Sequence, residues 1–186
     1  IKGNLVGCFG LTESEAGSDP SSMKTYFKEE NDFYIINGIK TWITNAPIAD
    51  IFIIWALDNN KNLKGFIIEK NTKGLSTKKI INKASLKISP TGTVILDNVK
   101  VPKKNILPNT IGWKSLYLCL NNARYGIAWG SLGAAKTCWL IAKDYAENRI
   151  MFKKPIASKQ LIQKKLAIMQ TEIFLGLSAC YHAGNA

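Results

Sequence analysis

Residues 33–45, Phe-Tyr-Ile-Ile-Asn-Gly-Ile-Lys-Thr-Trp-Ile-Thr-Asn, decide how the first part of the chain is interpreted. The runs 33–36 and 39–43 are rich in β-branched and aromatic residues, which favour strands. Asn-Gly between two such runs is a strong signal for a tight hairpin turn. The stretch therefore predicts two antiparallel strands joined at Asn37 and Gly38.

Further strand signals lie on the C-terminal side of this stretch. Residues 50–57 and 65–69 are apolar runs bounded by turn-forming residues, and residues 93–96 form another run that 99–101 extends before Pro102 interrupts pairing. Short strands at this interval are typical of an antiparallel β-barrel or sandwich. We expect such a β domain over residues 1–110.

The pattern of residues 111–186 predicts helices. Between 112 and 148 turn signals thin out and apolar residues recur at three- and four-residue steps. Ser158 is a candidate N-cap for a second helix that runs to residue 179 or beyond. Gly126, Gly130 and Gly133 indicate close approach by another helix or a ligand, or loose helix packing, and the sequence does not choose between these. The expected class is α+β, with the β domain followed by the first helices of a bundle.

Composition and charge narrow the function classes. The 186 residues are 46% hydrophobic with a formal net charge of +12, enough apolar content for a folded core. One interpretation of the charge is a basic module that binds nucleic acid or a membrane surface. The other, which we favour, is a general abundance of lysine, because the lysines are scattered and form no long basic run. No nucleic-acid partner is therefore expected.

The rare residue types give mostly negative predictions. The four cysteines have no C-x-x-C spacing, so reduced thiols in an intracellular protein are expected. His182 is the one histidine, and a metal site or a Ser-His-Asp triad would depend on it alone; no metal is predicted. No apolar run approaches about 18 residues without a charge or several glycines, so no membrane span is expected. A first residue that is not Met suggests a piece of a longer protein.

Two polar segments are the candidates for chemistry. The chain contains no dinucleotide-binding G-x-G-x-x-G, no G-x-S-x-G elbow and no P-loop lysine motif. Thr12, Gly17 and Ser18 lie in a loop whose hydroxyl and N–H groups suit a ring edge or a pyrophosphate, although for this segment taken alone we favour a polar loop with a helix cap. Trp42 taken alone is more often a core residue than a wall of a cofactor site.

The combination of segments is more specific. Residues 9–19, F-G-L-T-E-S-E-A-G-S-D, residues 40–45, K-T-W-I-T-N, and an R-x-x-F…Q arrangement over residues 149–160 resemble the acyl-CoA dehydrogenase family in order and spacing. The run N-N-A-R-Y-G-I-A-W-G at residues 121–130 is most similar to the glutaryl-CoA dehydrogenase branch. One departure is Lys153-Lys154, which stands where related sequences often have a small residue after the Phe.

The resemblance implies FAD as cofactor and assigns residues to it. The implied FAD contacts are Phe9, Leu11, Thr12, Gly17, Ser18, Trp42, Ile43 and Thr44, and, reaching the FAD of a neighbouring subunit, Arg149, Phe152 and Gln160. The implied acyl-CoA contacts are Ser18, Tyr117, Leu120, Asn121, Asn122 and Arg124. Arg149 suits a diphosphate because its planar guanidinium pairs with phosphate oxygens.

The implied reaction removes hydrogen across the Cα–Cβ bond of glutaryl-CoA and releases CO2 and crotonyl-CoA, with electrons passed to an electron-transfer flavoprotein. A short- or branched-chain acyl-CoA substrate is the alternative. The resemblance also implies a role in amino-acid catabolism, a homotetramer, and a cytoplasmic location in bacteria or a mitochondrial matrix location in eukaryotes. The family's catalytic glutamate and its carboxylate-binding arginine match no residue of this chain, so we expect the chain alone to be inactive.

Overall fold

The computed structural model describes residues 2–185, which divide into two compact units, one ending at Ser115 and the other beginning at Leu116. The first unit contains a curled, mostly antiparallel sheet, and the second contains two long helices. The predicted α+β class is thus confirmed. The described part has no helix long and apolar enough to cross a membrane.

The sheet of the first unit has seven strands. They are β1 (Gly7–Gly10), β2 (Tyr26–Glu30), β3 (Phe33–Thr44), β4 (Ile51–Leu57), β5 (Leu63–Glu69), β6 (Leu75–Lys79) and β7 (Thr91–Pro102). Their order is β1-β4-β2-β3-β7-β6, and β5 pairs with the other edge of β4. β1 runs parallel to β4, and β2 meets the end of β4 in one parallel pair, so the sheet is mixed rather than wholly antiparallel.

The hairpin predicted at Asn37 and Gly38 is wrong, because β3 passes through both residues without turning. The chain turns earlier, at Asn31 and Asp32, between β2 and β3. Gly38 has φ +150°, and a Cβ there would overlap the Thr25 side chain, so glycine serves an irregular, crowded point of the strand. The Asn98 N–H of β7 donates to the Asn37 side-chain oxygen at 2.8 Å, at a bulge where two steps along β3 oppose three along β7.

The core of the first unit lies on one face of the sheet. Its fully buried members include Ile36, Phe52, Phe66, Val94 and Val99, which come from four strands. Edge-to-face ring contacts at centroid distances of 5.0–5.6 Å join the aromatic side chains of this core. Burial of each such side chain contributes about 1.5–3 kcal/mol to the free energy of folding. These side chains therefore stabilise the first unit.

The helices are α1 (Gly112–Asn148) and α2 (Gln160–Gly184), with a small hairpin of β8 (Ile150–Met151) and β9 (Lys154–Pro155) between them. The prediction of a helix over 112–148 is confirmed. The two helices run antiparallel: the Tyr125 hydroxyl donates to the Cys180 carbonyl at 3.1 Å, and Leu132 packs on Gly176. Many of their large apolar side chains are exposed within the chain.

Two details of the helical prediction change. Lys159, not Ser158, occupies the N-cap position of α2, and the Ser158 hydroxyl donates to the Pro155 carbonyl at 2.7 Å instead. Gly126, Gly130 and Gly133 have no described atom within 4 Å of a built Cβ, so close packing inside residues 2–185 does not require them.

Candidate functional site

A β-bulge in β3 presents Trp42 to solvent. Lys40 pairs with Val94 and Ile43 with Gly92, so three steps along β3 oppose two along β7. The extra residue places Trp42 at φ +57°, and the residue is 59% exposed. A left-handed backbone costs an ordinary L-residue about 1–2 kcal/mol and is a true outlier for a bulky one. Strain of this kind concentrates at functional sites.

The loop after β1 is fixed beside this bulge. The Thr41 N–H donates to the Thr12 carbonyl at 2.8 Å, and the Asn45 side-chain amide donates to the Gly7 carbonyl at 3.4 Å. Phe9, on β1, is 37% exposed. The loop and the bulge therefore present two exposed aromatic side chains on neighbouring segments of the first unit.

Polar groups accompany the two rings. Thr44 and Ser18 are exposed and Thr12 is half-buried. Gly17 is exposed, with no atom within 4 Å of a built Cβ, so its main chain is open to a ligand. Leu11 and Ile43 differ from the other predicted contacts, since their side chains are 8% and 3% exposed and belong to the interior. These two residues can offer a ligand chiefly their main-chain groups.

A buried ion pair joins the loop after β1 to β3. The Lys40 ammonium is 2.9 Å from a Glu13 carboxylate oxygen, and the lysine side chain is wholly buried. Burial alone would raise the pKa of Glu13, but hydrogen bonds from the Thr25 hydroxyl and Lys24 N–H, with those from Lys40 and its charge, hold that pKa below its usual value. Burial lowers the pKa of Lys40, and the Glu13 carboxylate offsets part of that effect.

Neither Glu13 nor Lys40 was predicted as a buried partner of the other. A signal was available, since Ile36, Gly38 and Lys40 alternate along β3 on the face that carries the core. A lysine in phase with core residues requires a buried acceptor. Glu13, however, is 27 residues away in sequence, and no local pattern connects the two.

The first unit thus combines planar apolar rings with nearby hydroxyl and main-chain groups. Such a surface suits a planar ligand with one polar edge. Cys8 lies in the same strand as Phe9, but burial raises the pKa of its thiol to about 12, so it is no thiolate nucleophile near neutral pH. Among residues 2–185, no group of three or more His, Cys, Asp or Glu side chains is placed to hold a metal ion.

In the second unit, the acyl-CoA contacts implied by the resemblance share part of α1. Tyr117, Leu120, Asn121 and Arg124 follow helical spacing along one face, and Arg124 donates to the Asn121 side-chain oxygen at 2.6 Å. Asn122 lies roughly 140° around the helix from Tyr117 at 100° per residue, so the structure separates it from the others.

The hairpin between the helices carries the third predicted segment. Its two-residue turn is Phe152-Lys153, at φ +50° and +64°, which is the conformation of a tight hairpin usually built with Asn or Gly. Phe152 is 86% exposed, with the Lys159 ammonium 6.0 Å from its ring centroid. The Ile156 N–H donates to the Arg149 carbonyl at 2.9 Å and closes the hairpin; Gln160 is exposed at the start of α2.

Two protein-family models match the chain. The acyl-CoA dehydrogenase middle domain matches residues 8–99, and the acyl-CoA dehydrogenase C-terminal domain matches residues 110–186. The chain belongs to the acyl-CoA dehydrogenase family. As a family member it holds both signature segments, residues 9–19 and 40–45, within the middle-domain match.

Individual relatives agree on the family but differ in activity. A glutaryl-CoA dehydrogenase of Desulfococcus multivorans is 37% identical over 188 residues, covering 98% of this chain and 48% of the relative. A 3-(aryl)acrylate reductase of Clostridium sporogenes is 40% identical over 188 residues, covering 98% and 50%. The chain therefore spans about half the length of these curated relatives.

A solved structure has a similar fold. A glutaryl-CoA dehydrogenase of Mycobacterium smegmatis in complex with FADH2 superposes with a TM-score of 0.94 at 38% identity, covering 98% of this chain and 47% of that one. At that score this acyl-CoA dehydrogenase chain shares the relative's fold over nearly its whole length. The placement of individual ligand contacts on this chain stays a prediction.

Proposed function

We propose that this chain supplies the flavin-binding and part of the acyl-CoA-binding surface of an FAD-dependent acyl-CoA dehydrogenase that acts on glutaryl-CoA. The strained bulge at Trp42 is the observation that carries the proposal. An exposed indole at φ +57° adds little to the packing of the core, whereas its ring can pack against a planar ligand. The solved relative that contains FADH2 supports a flavin as that ring.

The residues of the first unit fit a flavin. Phe9 and Trp42 offer apolar faces, and Thr12, Ser18 and Thr44 offer hydroxyl and N–H groups for a polar edge. Thr12 and Trp42 are also coupled, because the Thr41 N–H holds the Thr12 carbonyl at 2.8 Å. When bound, FAD supplies the redox chemistry by accepting the hydride that leaves the substrate β-carbon. This chain's residues bind and orient the ring.

The second unit supplies polar contacts for anionic ligands. Arg124, on the face of α1 with Tyr117 and Asn121, is the proposed contact for the CoA portion. Arg149 and Gln160 flank the hairpin and are the proposed contacts for a diphosphate and adenosine, supplied by the FAD of a neighbouring subunit in a homotetramer. The general base that removes the α-proton is assigned to no residue of this chain.

Glutaryl-CoA is proposed over other acyl-CoA thioesters because of residues 121–130, N-N-A-R-Y-G-I-A-W-G, which are most similar to the glutaryl-CoA dehydrogenase branch. Sequence identity to the relatives does not select one activity. The chain is 37% identical to a glutaryl-CoA dehydrogenase and 40% identical to a 3-(aryl)acrylate reductase. A short- or branched-chain acyl-CoA dehydrogenase is the second candidate. An electron-transfer flavoprotein is the proposed electron acceptor.

A substrate panel on the protein that contains this chain tests the proposal. Purified protein is mixed anaerobically with glutaryl-CoA, butyryl-CoA or isobutyryl-CoA, and bleaching of the flavin absorption is followed by CO2 and enoyl-CoA analysis. We expect glutaryl-CoA to bleach the flavin fastest, with release of CO2. Bleaching by butyryl-CoA but not glutaryl-CoA would move the assignment to the second candidate. Salt-sensitive nucleic-acid binding without flavin would contradict the proposal.

A further inference from the structure

One buried carboxylate gathers three separate segments of the first unit. Glu13 accepts hydrogen bonds from the Lys24 N–H at 2.6 Å, the Thr25 N–H at 3.0 Å, the Thr25 hydroxyl at 2.5 Å and the Lys40 ammonium at 2.9 Å. Lys40 also donates to the Leu11 carbonyl at 3.0 Å. The loop after β1, the approach to β2 and the middle of β3 therefore meet at this ion pair.

The pair lies next in sequence to the residues that carry the proposed flavin surface. Glu13 follows Thr12, and Lys40 precedes Thr41 and Trp42. The Thr41 N–H bond to the Thr12 carbonyl, at 2.8 Å, joins the same two segments. Gly10 adds to this arrangement, because a Cβ there would meet the Lys40 stem at 3.5 Å and overlap Ile54.

Stability alone does not account for a buried pair of charges. Desolvation of two ions offsets much of their attraction, and well-packed apolar residues of similar volume are often as stable or more so. The hydrogen bonds of the pair are directional. A carboxylate that accepts from four donors therefore restricts the positions of the neighbouring segments more than apolar contacts do. What it fixes is the spacing between the loop at Thr12 and the bulge at Trp42.

We propose that Glu13 and Lys40 are positioning residues for the flavin ring: the buried pair sets the spacing of the two segments that hold the ring, while neither side chain is required to touch it. The inference rests on the proposed FAD binding and adds to it two residues outside the predicted contact set. Flavin affinity and the flavin spectrum are then expected to depend on the pair even where the fold does not.

The decisive variant replaces the pair by a neutral one of similar shape. In Glu13→Gln with Lys40→Met, the amide oxygen at the Oε1 position still accepts from the Thr25 N–H and hydroxyl, the Lys24 N–H loses its Oε2 acceptor, and the methionine keeps the length of the lysine stem. Each single substitution leaves one buried charge unpaired and is expected to lower the unfolding midpoint, whereas the double variant removes both charges and regains part of that loss. The matched control is Glu29→Gln, which breaks the exposed pair with Lys103 at 2.6 Å.

FAD affinity is measured by reconstitution of the apoprotein of each variant, together with the visible absorption and circular dichroism of the bound flavin. We expect the double variant to bind FAD about tenfold more weakly, equivalent to ~1.4 kcal/mol, with altered flavin bands. Glu29→Gln keeps the wild-type affinity and spectrum. A double variant with the wild-type affinity and spectrum would overturn the inference and leave FAD binding intact, whereas a wild-type protein that binds no FAD would overturn the proposed function itself.

Discussion

Each unit of the chain places an exposed aromatic residue in a left-handed backbone conformation, but the surroundings differ. Trp42, at φ +57°, lies between buried Lys40 and buried Ile43, within a twelve-residue strand. Phe152, at φ +50°, tops a hairpin whose four strand residues are all exposed. Strained backbone persists where its surroundings over-determine it. The bulge is therefore preformed by the core of its unit, whereas the hairpin is held mainly by its own short strands.

The largest expected loss of stability follows from a substitution at Lys40, which supports the bulge at Trp42. Lys40→Met leaves the Glu13 carboxylate buried without its cation, and loss of one partner of a buried pair costs about 3–5 kcal/mol. Denaturant unfolding of the wild type and the variant measures the loss. Lys103→Met is the control, since it breaks an exposed pair in the same unit. A loss no greater than that of the control would mean that the pair does not brace the bulge.

The next effect concerns acid. The pKa of Glu13 lies below its ordinary value of 4.5 in the folded chain. The stability that this carboxylate contributes is therefore fully present above about 4.5 and is lost as the pH falls through the lower, folded-state pKa. Unfolding free energies measured over this acid range should fall more steeply for the wild type than for Glu13→Gln, which has no such proton to bind. Parallel pH profiles of the two proteins would contradict this assignment.

The smallest effect is expected at the hairpin tip. Lys153 has φ +64°, a conformation that glycine adopts freely, so Lys153→Gly should stabilise the second unit by about 0.5–1 kcal/mol. Thermal unfolding monitored by helix circular dichroism is the measurement. Lys154→Gly serves as control, because Lys154 is a strand residue with no left-handed φ to relieve, and it should destabilise instead. Equal shifts for the two variants would argue against strain at the tip.

The sequence predicted what depends on local periodicity. The α1 helix matches its predicted range of 112–148 because apolar spacing over ten turns leaves little ambiguity. The Asn37-Gly38 hairpin was wrong because the same dipeptide also suits a bulge, and the choice depended on contacts with Thr25 and Asn98, which are distant in sequence. Strand β6, Leu75–Lys79, lacks an apolar run and was missed.

The candidate site also contains residues that local sequence patterns predict and residues that depend on contacts between distant segments. Trp42 and Thr12 are predicted as site residues because their segments carry specific sequence patterns, and the structure adds the bulge that explains why Trp42 is exposed. The Glu13–Lys40 pair could not be derived in the same way, since burial of a charge is settled by packing between segments. Leu11 and Ile43 show the converse, because their motif positions place their side chains in the interior.

FAD binding by the wild type, Trp42→Gly and Trp42→Phe tests the central claim most directly. Glycine relieves the left-handed strain but removes the ring, whereas phenylalanine keeps a ring. The account predicts that the wild type purifies with flavin or takes it up stoichiometrically, that Trp42→Gly binds FAD about tenfold more weakly while remaining folded, and that Trp42→Phe recovers most of the affinity. A wild-type protein without flavin, or equal affinity for all three proteins, would contradict it.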